Sequence, residues 1–244
     1  MADYINSNIL AQSYVHVEPG WLSSVEGEER EARLAIIQEK LTAFAKERMQ
    51  FFLHDDVIVT VELEEGSIKA KITAYGRILI FLNAINPALT ALEKYPAYRE
   101  GVSVAATDVS HLAQTVNLEV LFQTQSRSKS EIIRIEARKG VFGSLDRINS
   151  KINDINSVLE KKESRPGALT SKMYDLHKGI LELFDFIKNE EDRVLVKNYI
   201  LDGVSSMKIH KARFIVKTDF DKLNLKELQE ERRRIVKSIR ETDG

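Results

Sequence analysis

The strongest constraint on this chain is an apolar run near its middle. Val141, Leu145, Ile148, Ile152, Ile155 and Leu159 recur at spacings of four, three, four, three and four. A helix with that rhythm carries one narrow apolar seam, and a second helix must cover it. The seam is satisfied by a neighbouring helix of the same chain or by one that joins chains. Asn149, Asn153 and Asn156 flank it, either to set register through side-chain hydrogen bonds or as solvated positions, the second being the preferred reading.

The segments around the seam set the fold class. From Arg30 to Phe52, Leu34, Ile37, Leu41, Phe44, Ala45 and Phe52 follow helical spacing with charged residues between them. The period then drops to two. Val57, Val59, Val61 and Leu63 alternate along one run, and Ile68, Ala70 and Ile72 along the next. Glu64-Glu65-Gly66-Ser67 joins them as a hairpin loop, with Glu–Lys pairs expected across the exposed face. Residues 1–29 are mixed and read as irregular. Helix is expected from Tyr75 to Ile85. Asn86 and Pro87 then act as N-cap and first-turn residue of a piece reaching Tyr95, and a long helix follows from Tyr98 to Leu121.

Helix is expected again from Glu131 to Glu163, weakened at Gly140 and Gly143, and from Leu169 to Leu201. Ser164-Arg165-Pro166-Gly167 breaks the two, which makes an antiparallel helical hairpin. Arg213 to Thr218 is a weak strand candidate. A last amphipathic helix runs from Asn224, with Arg232, Arg233 and Arg234 at its centre. The expectation is an α+β protein, predominantly helical. A helix, β-hairpin and helix module would span 1–125, and a helical hairpin with a basic terminal helix 126–244.

Composition excludes several chemistries. There is no Cys, so disulfides, thiolate nucleophiles and cysteine-ligated metals are out, which fits a reducing, cytoplasmic compartment. The chain has no Lys or Arg before Arg30 and no apolar leader, which argues against a signal peptide. Ile78 to Leu92 is the one membrane candidate. Arg77, Asn83, Asn86 and Pro87 interrupt it, so it reads as a buried core helix with no transmembrane span. The formal net charge of −1 gives no global attraction to nucleic acid.

Basic character is local. Ser126 to Lys139 holds five basic and two acidic residues, and Ser205 to Arg240 holds eleven and five. No helix-turn-helix pattern, zinc-finger spacing or aromatic-rich stacking platform accompanies them. His16, His54, His111, His177 and His210 are scattered, and His54-Asp55-Asp56 is a turn more than a metal site. Arg48 and His54 resemble the Arg-x5-His arrangement of helical HEPN-type ribonucleases, where an Arg and a His act on an RNA phosphate. Met49 stands where that pattern has a polar residue, and a hairpin follows His54 at once. A surface Arg and a helix-end His is the preferred reading.

The expected function is therefore non-catalytic, without cofactor or metal. The chain would self-associate or join a larger protein complex through helical, coiled-coil-like surfaces. Val141, Leu145, Ile148, Ile152, Ile155 and Leu159 would supply packing, and Arg232, Arg233 and Arg234 polar specificity. The alternative is a nucleic-acid-binding or processing protein using the basic stretches 126–139 and 205–240.

Overall fold

The computed structural model describes residues 7–64, 66–85, 95–161 and 164–241. The chain divides into two compact units, one of Met1–Pro87 with Ser103–Gly143 and one of Ala88–Val102 with Ser144–Gly244.

The first unit is built around β1 (Asn8–Val17). Ala11, Ser13, Val15 and Val17 are buried and meet Ala74, Ile72, Ala70 and Ile68 of β3 (Ile68–Gly76) in antiparallel register. The outer edge of β3 pairs with β2 (Ile58–Glu64), and that of β1 with β4 (Ile132–Arg138), both antiparallel, giving the order β2-β3-β1-β4. Helix α1 (Gly27–Leu53) lies between β1 and β2 in the chain. Helices α2 (Ile78–Ile85) and α3 (Tyr95–Thr124) lie between β3 and β4. Order and directions are those of a split β-α-β sheet.

The helices show why one sheet face is dry. α1 buries Ile37, Leu41, Ala45, Met49 and Leu53, a line of every fourth residue. α3 buries Ala105, Ala106, Val109, Leu112, Ala113, Val116 and Val120, where three alanines allow close approach. Asn117 of α3 accepts from the Ser13 hydroxyl at 2.5 Å and donates to the Glu136 carbonyl at 3.1 Å, so it ties the helix to β1 and β4. Gly140 sits at φ +51° after β4. A Cβ there would stand 2.6 Å from the Leu10 carbonyl oxygen and closer still to that of Ile9.

A carboxylate closes the other end of the sheet. Glu131 accepts from the backbone N–H of Gly20, Arg127 and Ser128 and from the Ser128 hydroxyl, at 2.8 to 2.9 Å. These bonds hold its carboxyl down at a pKa of about 2. Trp21 donates its indole N–H to the Thr124 carbonyl at 2.8 Å, with Arg33 over its ring at 3.9 Å.

The second unit is helical. It contains α4 (Gly140–Glu160) from Ser144 onward, α5 (Gly167–Phe186), α6 (Glu190–Ser205) and α7 (Asp219–Glu241), together with the first turns of α3. α4 and α5 run antiparallel. Ile148 lies against Gly179, and Lys151 reaches the Asp175 carbonyl at 2.8 Å. α7 packs on α5 and α6. A capping box starts it: Thr218 accepts from the Asp221 N–H, while the Asp221 carboxylate takes the Thr218 N–H at 2.9 Å. Tyr98 is stacked on Tyr199 with ring centroids 4.0 Å apart, and the Tyr95 ring leaves room only for Gly at 203.

The mostly helical α+β architecture and a hairpin at the expected 57–73 match the sequence expectation, including Lys69–Glu64 at 2.9 Å and Lys71–Glu62 at 3.1 Å across it, but its second strand runs on to Gly76, through the Tyr75 expected to open a helix that starts only at Ile78. Three other segments differ. Residues 8–17 are not irregular but form the central strand. Residues 132–138 are strand, not helix, and α4 starts at Gly140. The expected helix 169–201 is two helices, broken where Asn189 accepts from the Asp192 N–H at 3.1 Å and caps α6. The weak strand at 213–218 contributes only a bridge between Ser164 and Phe214. The expected N-cap at Asn86-Pro87, the piece from Ala88, Glu65 of the hairpin loop and Glu163 lie outside the described residues. Among the described residues no helix is long and apolar enough to cross a membrane.

Candidate functional site

The register of the first unit's sheet decides which side chains share its other face. Three rows cross all four strands. Arg138, Gln12, Thr73 and Thr60 form one, Glu136, Tyr14, Lys71 and Glu62 the next, and Arg134, His16, Lys69 and Glu64 the third. No large aliphatic side chain stands in any of these three rows, and the next row along the same face is Ile9, Tyr75 and Ile58. Tyr14, His16, Lys69 and Lys71 are half-exposed, while Arg134 and Arg138 are exposed.

The first row is wired. Arg138 donates to the Gln12 side-chain oxygen at 2.7 Å, and the Gln12 amide donates to the Thr73 hydroxyl at 3.0 Å. Those bonds fix Arg138 across β1. In the middle row Tyr14 is the one aromatic ring, and the guanidinium carbons of Arg134 and Arg138 each lie 5.7 Å from its centroid. Glu136 bonds both arginines, and the Arg138 hydrogen bond at 2.6 Å leads in holding its carboxyl below the ordinary range. His16 Nε2 and the Ser67 hydroxyl are 2.8 Å apart at the rim. The result is a polar platform with a π-face at its centre and paired cations around it. Such a surface can stack a base and neutralise the phosphates beside it.

The basic stretch 126–139 thus reaches the platform as β4. The stretch 205–240 lies in the second unit, where its three central arginines separate. Arg232 donates to the Val204 and Ser205 carbonyls at 3.2 and 2.6 Å, satisfying the end of α6. Arg233 is exposed, and Arg234 reaches the buried Glu231 at 3.3 Å. The seam residues Val141, Leu145, Ile148, Ile152, Ile155 and Leu159 are all buried, none more than 5% exposed.

One further cluster has the look of a nucleophilic triad. His177 Nδ1 is 2.6 Å from the Glu231 carboxylate, and its Nε2 is 2.9 Å from the Ser238 hydroxyl. Ser238 lies inside α7, where backbone N–H groups are committed to the helix, and its own hydroxyl donates to the Arg234 carbonyl at 2.8 Å. With no N–H groups to hold an oxyanion, the cluster is a clamp between α5 and α7. Arg48 and His54 take separate partners: Arg48 lies over the Phe44 ring and His54 turns to Asp56 at 3.4 Å. Among the described residues no group of three His, Asp or Glu is placed to hold a metal ion.

No family model matches the chain, and neither a curated protein nor a solved structure does.

Sequence reasoning found the β4 arginines only as a charge count, and it missed Tyr14, Gln12 and His16. Their one signal was the alternation of polar side chains with Ala11, Ser13, Val15 and Val17.

Proposed function

We propose that this chain is a non-catalytic nucleic-acid-binding protein that holds single strands on the open sheet face of its first unit. The observation that carries the reading is Tyr14, half-exposed at the centre of the sheet with the Arg134 and Arg138 guanidinium carbons each 5.7 Å from its ring centroid. A base stacked on Tyr14 would put its flanking phosphates over Arg134, Arg138, Lys69 and Lys71. Those phosphates would compete with Glu136, Glu64 and Glu62 for the same cations. Stacking of one base is worth about 1–3 kcal/mol, or roughly five- to 150-fold in affinity.

Fluorescence anisotropy with a labelled 12-nucleotide RNA and its DNA counterpart at about 50 mM salt tests this. Tyr14→Ala should weaken binding within that range, and raising salt to about 200 mM should weaken both proteins further. Absence of binding by the native chain, or equal affinity in Tyr14→Ala, removes the proposal. The cysteine-free composition fits action in the cytoplasm.

A second reading, assembly with other protein chains through helical surfaces, draws on the end of α1. Phe51 and Phe52 are 78% and 54% exposed there, edge to face at 5.0 Å. Light scattering at micromolar concentration tests it. A native mass above the monomer that falls in Phe51→Ser/Phe52→Ser supports assembly, and an unchanged monomer refutes it.

A further inference from the structure

The second unit carries an open groove of about 510 Å³ between the C-terminus of α6 and the last three turns of α7. Ser205, Arg232, Arg233, Lys237, Arg240 and Glu241 line it. Four cations therefore face one carboxylate, and Glu241 sits 3.7 Å from Lys237 at the surface.

The placement of these charges is not explained by the helix they stand on. A helix C-terminus favours cations within its last turn, which accounts for Arg240 alone. Arg232 is tied to the Val204 and Ser205 carbonyls through Nε and one terminal nitrogen, and it lines the groove. Among the described residues the Arg233 and Arg240 side chains have neither an acidic nor a carbonyl partner. Arg233 and Lys237 stand four apart, and Lys237 and Arg240 three apart, so they repel one another along the helix. The groove holds an excess of positive charge around a cavity, with one guanidinium already locked in direction.

From this we infer that the groove binds a phosphate-bearing ligand, whose oxygens supply the missing counter-charge. Guanidinium groups suit that role because their paired N–H donors match the spacing of phosphate oxygens. The volume accommodates a pyrophosphate or nucleotide-sized group. The phosphate comes either from a small molecule or from a phosphodiester backbone, and the chemistry of the groove is the same for both.

Titration calorimetry on the full chain with inorganic pyrophosphate, and separately with a 12-nucleotide RNA lacking terminal phosphates, tests the assignment. Three proteins are compared: native, Arg233→Gln/Arg240→Gln and Tyr14→Ala. Both arginines are exposed and hold no neighbour, so circular dichroism should show the double variant folded. Pyrophosphate binding that falls at least tenfold in the double variant and is unchanged in Tyr14→Ala supports a small-molecule phosphate. RNA binding that persists in Tyr14→Ala and falls at least tenfold in the double variant, without a pyrophosphate response, supports a backbone phosphate. If neither probe is weakened by the double substitution, or neither binds, the assignment is wrong. The Tyr14→Ala arm keeps this result separate from the fate of the sheet-face proposal.

Discussion

Gly140→Ala should be among the most damaging single-atom additions in the first unit. Two costs combine at this position. The residue holds φ +51°, which an L-residue adopts at a cost of about 1–2 kcal/mol. The added Cβ would also stand 2.6 Å from the Leu10 carbonyl oxygen and nearer still to that of Ile9, both on the central strand. Backbone cannot swing aside as a side chain can, so β1 or the β4–α4 junction must move. Overpacking of that kind costs about 1–3 kcal/mol. The expected total is about 2–5 kcal/mol, a large part of the roughly 5–15 kcal/mol that stabilises an ordinary domain. Urea denaturation followed by circular dichroism measures it. Gly140→Asn separates the two costs, because Asn tolerates positive φ but keeps the Cβ. If the contact dominates, Asn is nearly as damaging as Ala. A loss below about 1 kcal/mol in Gly140→Ala, or a full recovery in Gly140→Asn, refutes the argument that β1 presses on this glycine. Gly76 is the control. A Cβ there meets the Leu10 side-chain tip at 2.7 Å, which can rotate away, so Gly76→Ala should cost less.

Other outcomes follow from single positions. His54 holds φ 133° and ψ 155°, a region suited to glycine, so His54→Gly relieves about 1–3 kcal/mol of strain against about 0.4–1 kcal/mol for the freer unfolded chain and should raise stability by up to about 2 kcal/mol in the same denaturation assay. Glu131→Gln should lower the melting temperature at neutral pH. The folded carboxyl, at about 2, lies below the ordinary 4.5, so its contribution is whole above pH 4.5 and fades as pH falls toward 2. The gap between native and variant melting curves should close across that window, and a gap that is constant from pH 7 to 2.5 would exclude the clamp. Ile152→Asp places a charge at a position that is 0% exposed and should abolish cooperative unfolding of the second unit, visible as a lost transition in the same melts.

Much of the fold was legible because its helices and one hairpin each bury a simple stripe. α4 and the terminal helix show the helical period, α1 buries every fourth residue, and β2 and β3 alternate over most of their length. The Ser164–Gly167 break carries Pro and Gly, the strongest local punctuation. The break at Asn189 was also written in the chain, as an Asn followed by Glu190, Glu191 and Asp192, but the apolar rhythm on either side ran through it. β4 was misread for a related reason. Ile132, Ile133 and Ile135 satisfy a helical stripe as readily as a strand, and only pairing with β1 chooses between them.

β1 was illegible for a reason that bears on function. A central strand declares itself by a run of apolar residues when layers cover both faces of its sheet, whereas an antiparallel sheet can leave one face to water. Here the buried face uses Ala11 and Ser13 beside Val15 and Val17, and Ser13 is accepted only because Asn117 receives its hydroxyl. The opposite face uses Gln12, Tyr14 and His16, none of which a closed core would select. A strand in the middle of a sheet that shows polar and aromatic side chains on one face has that face uncovered. Of the residues that hid β1 in the sequence, Tyr14 and His16 are therefore left half-exposed on the platform with the β4 arginines beside them, while Gln12 is buried and bonded to Arg138 and Thr73. Filling that face with aliphatic residues would have made the strand easy to recognise and the surface useless for a polar ligand. The irregularity of the N-terminal segment and the proposed binding face have one cause, the demand that β1 be dry on one side and wet on the other.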